Sequence, residues 1–110
     1  MHEISVQEPY FSYIKNKRKT IEGRLNTGRF SLFKKGDILK IMNGNEYVTV
    51  KIRKLKKYSS FVEYLSLEGL KRTLPNIYTI KDGVHIYRQF YSRENEKKYG
   101  VLAIYIKKIE

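Results

Sequence analysis

The chain has 110 residues, 41% of them hydrophobic, and carries 23 lysines and arginines against 11 acidic residues, a net charge of +12. That suffices for one domain around one core, and so basic a small domain is expected to meet a polyanion, because each neutralised phosphate releases counterions. The absence of cysteine excludes disulfides and thiolate metal sites, the two histidines (His2 and His85) stand far apart with no carboxylate at ligand spacing, and no apolar run approaches the ~18 residues of a membrane span.

In chain order, His2, Ile4 and Val6 alternate on one face of a first short strand. Glu8-Pro9 opens a helix, with Pro9 placed at the first helical position, where its missing N–H costs nothing. Tyr10, Phe11, Tyr13 and Ile14 give that helix an apolar stripe, which ends near Asn16. The stretch Lys17 to Asn26 is the centre of the reading. Its basic start, Lys17-Arg18-Lys19, resembles a turn; from Lys19 to Asn26 it alternates as a strand. Ile21, Gly23 and Leu25 share one face, and Thr20, Glu22, Arg24 and Asn26 share the other. A strand face made wholly of hydrogen-bonding groups suits the wall of a polar cleft; a solvated edge strand has the same pattern.

Thr27-Gly28-Arg29 and Lys34-Lys35-Gly36-Asp37 are turns, the second leading into a strand over Ile38 to Met42, and Asn43-Gly44-Asn45 is a hairpin signal. The next strand turns Val48, Val50 and Ile52 to one face. The step from Ile52 to Leu55 breaks the alternation, so the strand either ends there or holds a β-bulge. Ser60 to Glu63 is a capping box for a helix with Phe61, Tyr64 and Leu65 inward, which stops near Gly69. Pro75 breaks any continuation after Leu74. Thr79 caps the next helix, with Ile80, Val84, Tyr87 and Tyr91 on one stripe. Ser92 caps a short one whose acidic-then-basic order suits the helix dipole, and Gly100 ends it. The last strand, Val101 to Ile106, is apolar on both faces and is therefore the most buried. The predicted order is β-α-β-β-β-α-α-β, with a short fourth helix at Ser92. The fold class is α+β: a small, mostly antiparallel β-barrel of five strands with flanking helices, in one domain over residues 1–110.

Lys51, Arg53, Lys54, Lys56 and Lys57 crowd five cations into seven residues. They form a phosphate track in one reading and a lysine-guarded edge strand in another. The abundance of Lys, Ile, Tyr and Asn would also follow from AT-rich codons.

Lys19, Glu22 and Arg24 resemble the signature Gly-x-Lys-x-x-Glu-x-Arg of the ASCH domain, in the PUA-like superfamily. The likeness continues through Gly36-Asp37-Ile38-Leu39, Tyr58-Ser59-Ser60-Phe61, Glu68-Gly69-Leu70, Leu74-Pro75, Tyr87-Arg88-x-Phe90-Tyr91 and Tyr99-Gly100-Val101-x-Ala103-Ile104. It covers His2 to Ile106 and is strongest to small single-domain archaeal ASCH proteins. One departure stands out: the leading glycine falls at Lys17, so a positive φ in that turn would have to come from another residue, such as Asn16.

The resemblance implies a barrel enclosing a cleft beside the signature, and RNA binding. Lys17, Lys19, Thr20, Glu22 and Arg24 would contact RNA or a nucleotide, with Lys51, Arg53, Lys54, Lys56 and Lys57 extending the track. Some ASCH proteins are enzymes, an N4-acetylcytidine amidohydrolase and a reported ribonuclease among them. The amidohydrolase resembles this chain at Lys19, at Arg24 and in the Gly36-Asp37 turn. Its threonine position is Glu22 here, Thr20 is no direct substitute, and Glu68 is a loose match for its downstream glutamate. As a hydrolase the chain would use Lys19 with Glu22 or Glu68, with the Lys19 pKa lowered by its cationic neighbours and, in the same direction, by partial burial. A third reading is a protein-interaction domain in which basicity is incidental. The expected partner is RNA or a nucleotide, with no membrane, metal or cofactor, in a soluble, cytoplasmic protein of unassigned oligomeric state.

Overall fold

The computed structural model describes residues 2–109. Its elements run β1 (His2–Ser5), α1 (Tyr10–Lys15), β2 (Ile21–Leu25), a short 3-10 helix (Gly28–Leu32), β3 (Ile38–Asn43), β4 (Glu46–Tyr58), α2 (Phe61–Glu68), α3 (Leu70–Thr73), α4 (Ile80–Arg88), α5 (Arg93–Tyr99) and β5 (Val101–Lys108). The strands form one sheet in the order β1-β3-β4-β5-β2. β1 runs parallel to β3, and every other pair is antiparallel. The sheet is a half-barrel whose free edges, β1 and β2, leave a seam. The expected α+β, mostly antiparallel architecture holds.

Two clusters of buried side chains fill the molecule, and β5 joins both. Leu102, Ile104 and Ile106 pack with Ile4, Phe11, Leu39 and Val50. Val101 and Ala103 pack with Phe61, Tyr64, Leu65 and Tyr87 from the helices. Strand alternation sends successive residues to opposite faces, so a strand apolar on both faces is the partition between two cores.

Several local expectations were met with changes. Pro9 sits just before α1 and not within it, and the Glu8 carboxylate takes the cap, accepting from the Ser12 N–H at 2.9 Å and its hydroxyl at 2.8 Å. Ser60 caps α2 by accepting from the Glu63 N–H, while the Glu63 carboxylate reaches back to the Ser59 N–H, one residue earlier than a standard capping box. β4 does not end at Ile52. Pairing with β5 steps from Ile52↔Ile106 to Lys54↔Tyr105, so Arg53 is the bulged residue and the strand continues to Tyr58. Helix α3 was not anticipated. Gly69, at a φ of 84°, ends α2 and starts a fresh turn before Pro75 can intervene, and the Thr73 hydroxyl donates back to the Gly69 carbonyl at 2.8 Å.

Lys17 corrects the expectation about the signature's glycine. It adopts the left-handed conformation itself, at a φ of 69°, while Asn16 stays at −92°. The Lys17 N–H bonds the Ile14 carbonyl and the Arg18 N–H bonds the Tyr13 carbonyl. These are the two bonds of a Schellman motif closing α1, with Lys17 at the position glycine prefers. A left-handed L-residue costs ~1–2 kcal/mol, and glycine's greater unfolded-state entropy returns part of that. Lys17→Gly is therefore expected to stabilise the fold by about 0.5–1 kcal/mol, read as a higher midpoint in urea denaturation. An unchanged or lower midpoint would contradict the strain.

Candidate functional site

The seam between β1 and β2 is bridged by one side chain. Arg24 on β2 donates from Nη2 to the Ser5 carbonyl at 2.7 Å. Its Nε and Nη2 also donate to Glu22 Oε2 at 3.2 and 3.0 Å. Glu22 and Arg24 lie two residues apart, so the pleat turns both to the same side, and that side is buried. Glu22 is 6% exposed and Lys19, in the extended lead into β2, is 2% exposed. The polar face of the signature strand is a wall and not a solvated edge.

Lys19 is bound on three sides. Its Nζ donates to the Ile21 carbonyl at 2.9 Å and the Thr73 carbonyl at 2.6 Å, and lies 3.2 Å from Glu22 Oε1. An ammonium has three donors, and these contacts use all of them. Glu22 Oε1 also accepts from the Gly23 N–H at 3.1 Å. The carboxylate is thereby saturated, whereas Arg24 Nη1 takes part in none of these bonds. Burial pulls the Lys19 pKa below its ordinary value; Arg24 adds to this and Glu22 opposes it. The direction matches expectation, and of the two causes expected, burial leads and like charge follows. Burial alone would raise the Glu22 carboxyl, but Lys19 and Arg24 outweigh it and hold the group below the usual carboxylate range.

These groups line a cavity of about 340 Å3 in the seam. Val6 and Gln7 close it on the β1 side, and Tyr10 of α1 forms another wall. Leu74, Ile86, Tyr87, Gln89, Phe90 and Tyr91 close it from the helical side. Phe90 stands at the rim, 55% exposed. Gly23 sits between Glu22 and Arg24 with its missing side chain directed at the buried Tyr64 ring. The Tyr64 and Tyr87 rings meet edge to face at 6.1 Å, and neither buried hydroxyl has a well-formed hydrogen bond. Desolvation first, then neighbouring tyrosines and carboxylates, push both phenols up, so both stay protonated at neutral pH.

The signature triad therefore converges on one concave site, and the family model of the ASCH domain matches residues 4–110. The chain belongs to the ASCH domain family. Solved structures similar to this ASCH domain include a crystal structure of hypothetical protein PH0355, 44% identical, with a TM-score of 0.92 and 98% of each chain covered. Another is the solution NMR structure of protein PF0455 from Pyrococcus furiosus, 40% identical, with a TM-score of 0.83, covering 100% of this chain and 99% of that one. Among curated proteins, none matches significantly.

In this ASCH domain the remaining predicted residues lie elsewhere. Lys51, Lys54, Lys56 and Lys57 are exposed and do not line the cavity. Lys17, Thr20 and Arg53 line a second, smaller depression. Glu68 is buried and does not line the cavity, its Oε2 accepting from the hydroxyls of Tyr58 and Tyr105. Burial and that carboxylate push Tyr105 up to about 12 and Tyr58 higher still. Tyr10, Tyr87 and Tyr91, read as helix stripe, and Phe90, read only within the family pattern, turn out to be cavity wall. The run Tyr87-Arg88-x-Phe90-Tyr91, three aromatics just where a helix ends, was the available signal. Among the described residues, no helix is long and apolar enough to cross a membrane and no cluster of His, Asp or Glu suits a metal ion.

Proposed function

We propose that this ASCH domain binds RNA or a single nucleotide, modified or unmodified, with one unstacked base in the seam cavity. The observation that carries the proposal is a cavity combining aromatic walls with a guanidinium held in place by Glu22 and the Ser5 carbonyl, its Nη1 outside those bonds. The aromatic rings offer stacking, which any base can use. Arg24 offers donors for a base carbonyl or a phosphate, pre-oriented by a charge-assisted pair. At about 340 Å3 the cavity is near the small end of ligand pockets, ~300–1,000 Å3, which suits one nucleotide's base and excludes a duplex. Two cations against one carboxylate leave it net positive.

Phe90 gives the cleanest test because it is exposed at the rim and contributes little to the core. Base–aromatic stacking is worth ~1–3 kcal/mol, so Phe90→Ala is expected to weaken binding of a short single-stranded RNA about tenfold in fluorescence anisotropy, with its thermal midpoint unchanged. Wild-type affinity should also fall steeply between 50 and 200 mM salt, values at which phosphate contacts differ strongly. RNA affinity that ignores both salt and Phe90 would end the proposal.

A hydrolase is the second reading, favoured by the lowered Lys19 pKa beside Glu22. Neutral lysine is a base or nucleophile, but here Nζ would first have to leave two carbonyls and a carboxylate. Product release from N4-acetylcytidine or RNA by wild type, abolished in Lys19→Ala, would favour catalysis over binding alone.

A further inference from the structure

We infer that the second depression, on the other side of Lys19 from the cavity, is a phosphate-binding site. It has a volume of about 160 Å3 and Lys19 lines both hollows. Lys17, Arg53, Lys107 and Lys108 line it together with Thr20, and among the described residues no carboxylate does. These cations come from three distant parts of the chain, and each is brought there by a specific feature of the fold.

Lys17 is carried there by the left-handed close of α1. Arg53 is the bulged residue of β4, and a bulge re-aims its side chain out of the strand's alternation. Lys107 lies directly across from Lys51 in the β4–β5 ladder, and like charges in that position repel. The Lys108 ammonium is tethered to the Lys15 carbonyl at 3.1 Å. The Thr20 hydroxyl adds a neutral donor or acceptor at the same place. Among the described residues, none of Lys17, Lys51, Arg53, Lys107 and Lys108 forms an ion pair. Convergent cations without an acid are unfavourable alone and become favourable around an oxyanion, which several N–H donors then share. The lysine-guarded edge explains Lys54, Lys56 and Lys57, since β4 beyond the bulge pairs only with β5. It does not explain Lys51, which has strands on both sides, nor the gathering at Lys17 and Lys108.

Resting on the RNA-binding proposal, a nucleotide strand crossing at Lys19 would place a base in the cavity and a backbone phosphate in this depression. The experiment is amide NMR on the full chain, titrated first with inorganic phosphate against chloride at matched ionic strength, then with tetrauridine. Phosphate is expected to move the amides of Lys17, Thr20, Arg53, Lys107 and Lys108 in one saturable process. Arg53→Gln combined with Lys107→Gln, both exposed positions, should weaken it at least tenfold; Lys81→Gln combined with Lys97→Gln should not. Small shifts spread over every lysine-bearing strand, or equal loss in both double variants, would overturn the site. Tetrauridine that moves Gly23 and Tyr87 but not the five would sink the backbone placement and leave RNA binding standing. Phosphate that binds the five while tetrauridine moves nothing would do the reverse, leaving a site for free phosphate groups.

Discussion

Replacing Glu22 with glutamine is expected to destabilise the fold by about 3–5 kcal/mol at neutral pH, the range found when one member of a buried ion pair is removed. The amide matches the carboxylate in shape, so the loss is electrostatic. Lys19 and Arg24 are left as two cations facing a neutral group, one of them 2% exposed. The pH dependence separates this from a packing defect. In the folded protein Glu22 titrates below its unfolded value of ~4.3 because the two cations outweigh its desolvation. Its contribution is therefore present above ~pH 4.3 and is lost as the pH falls through the folded-state value. Urea denaturation of wild type and Glu22→Gln should differ most near neutrality and converge in acid. A gap of constant size from neutral pH into acid would mean that the carboxylate's charge is not what holds the triad. Lys19→Met added to Glu22→Gln should cost less than the sum of the two, because it removes the orphaned ammonium.

Much of this was legible in the chain, and the boundary follows physical lines. Alternation across Ile21 to Leu25 identifies a strand because the period of two depends only on the backbone. Caps at Ser60, Thr79 and Ser92 are legible because they satisfy orphan N–H groups within three residues. Periodicity says which face of a helix turns inward but not what it meets there, and so Tyr10 and Tyr87 read as core while lining a cavity. The burial of Lys19 was equally hidden. Nothing in a basic run tells one lysine from the next; only the distant Thr73 carbonyl, supplied by an unanticipated helical turn, makes this one an interior group. Glu68 was matched by order along the chain, but the fold engages it with Tyr58 and Tyr105 instead. The five β4 cations read as one track, and the bulge at Arg53 divides it.

Gly23→Ala is the second large effect, and it tests how tightly the triad is tied to the core beneath it. A Cβ at position 23 would lie 2.6 Å from Tyr64 Cε2, 2.7 Å from Cζ and 2.9 Å from the hydroxyl. Those are ring atoms of a fully buried side chain, hemmed in by the rings of Tyr58, Phe61 and Tyr87, so the ring has little room to retreat. Overpacking of this kind costs ~1–3 kcal/mol and occasionally more; about 3 kcal/mol is expected here, seen as a lower denaturation midpoint with an unchanged slope. Because Gly23 stands between Glu22 and Arg24, the strand cannot lift off Tyr64 without shifting both, so under the proposed function RNA affinity should fall with stability. Tyr64→Phe alone should be close to neutral, since the hydroxyl it removes is buried without a well-formed bond. It should also fail to rescue Gly23→Ala, because the ring carbons remain in the way. Tyr64→Leu, which vacates the ring, should make the added methyl much cheaper than it is in the wild type. If Gly23→Ala costs the same in both backgrounds, the clash is not with Tyr64, and the glycine is there for its backbone alone.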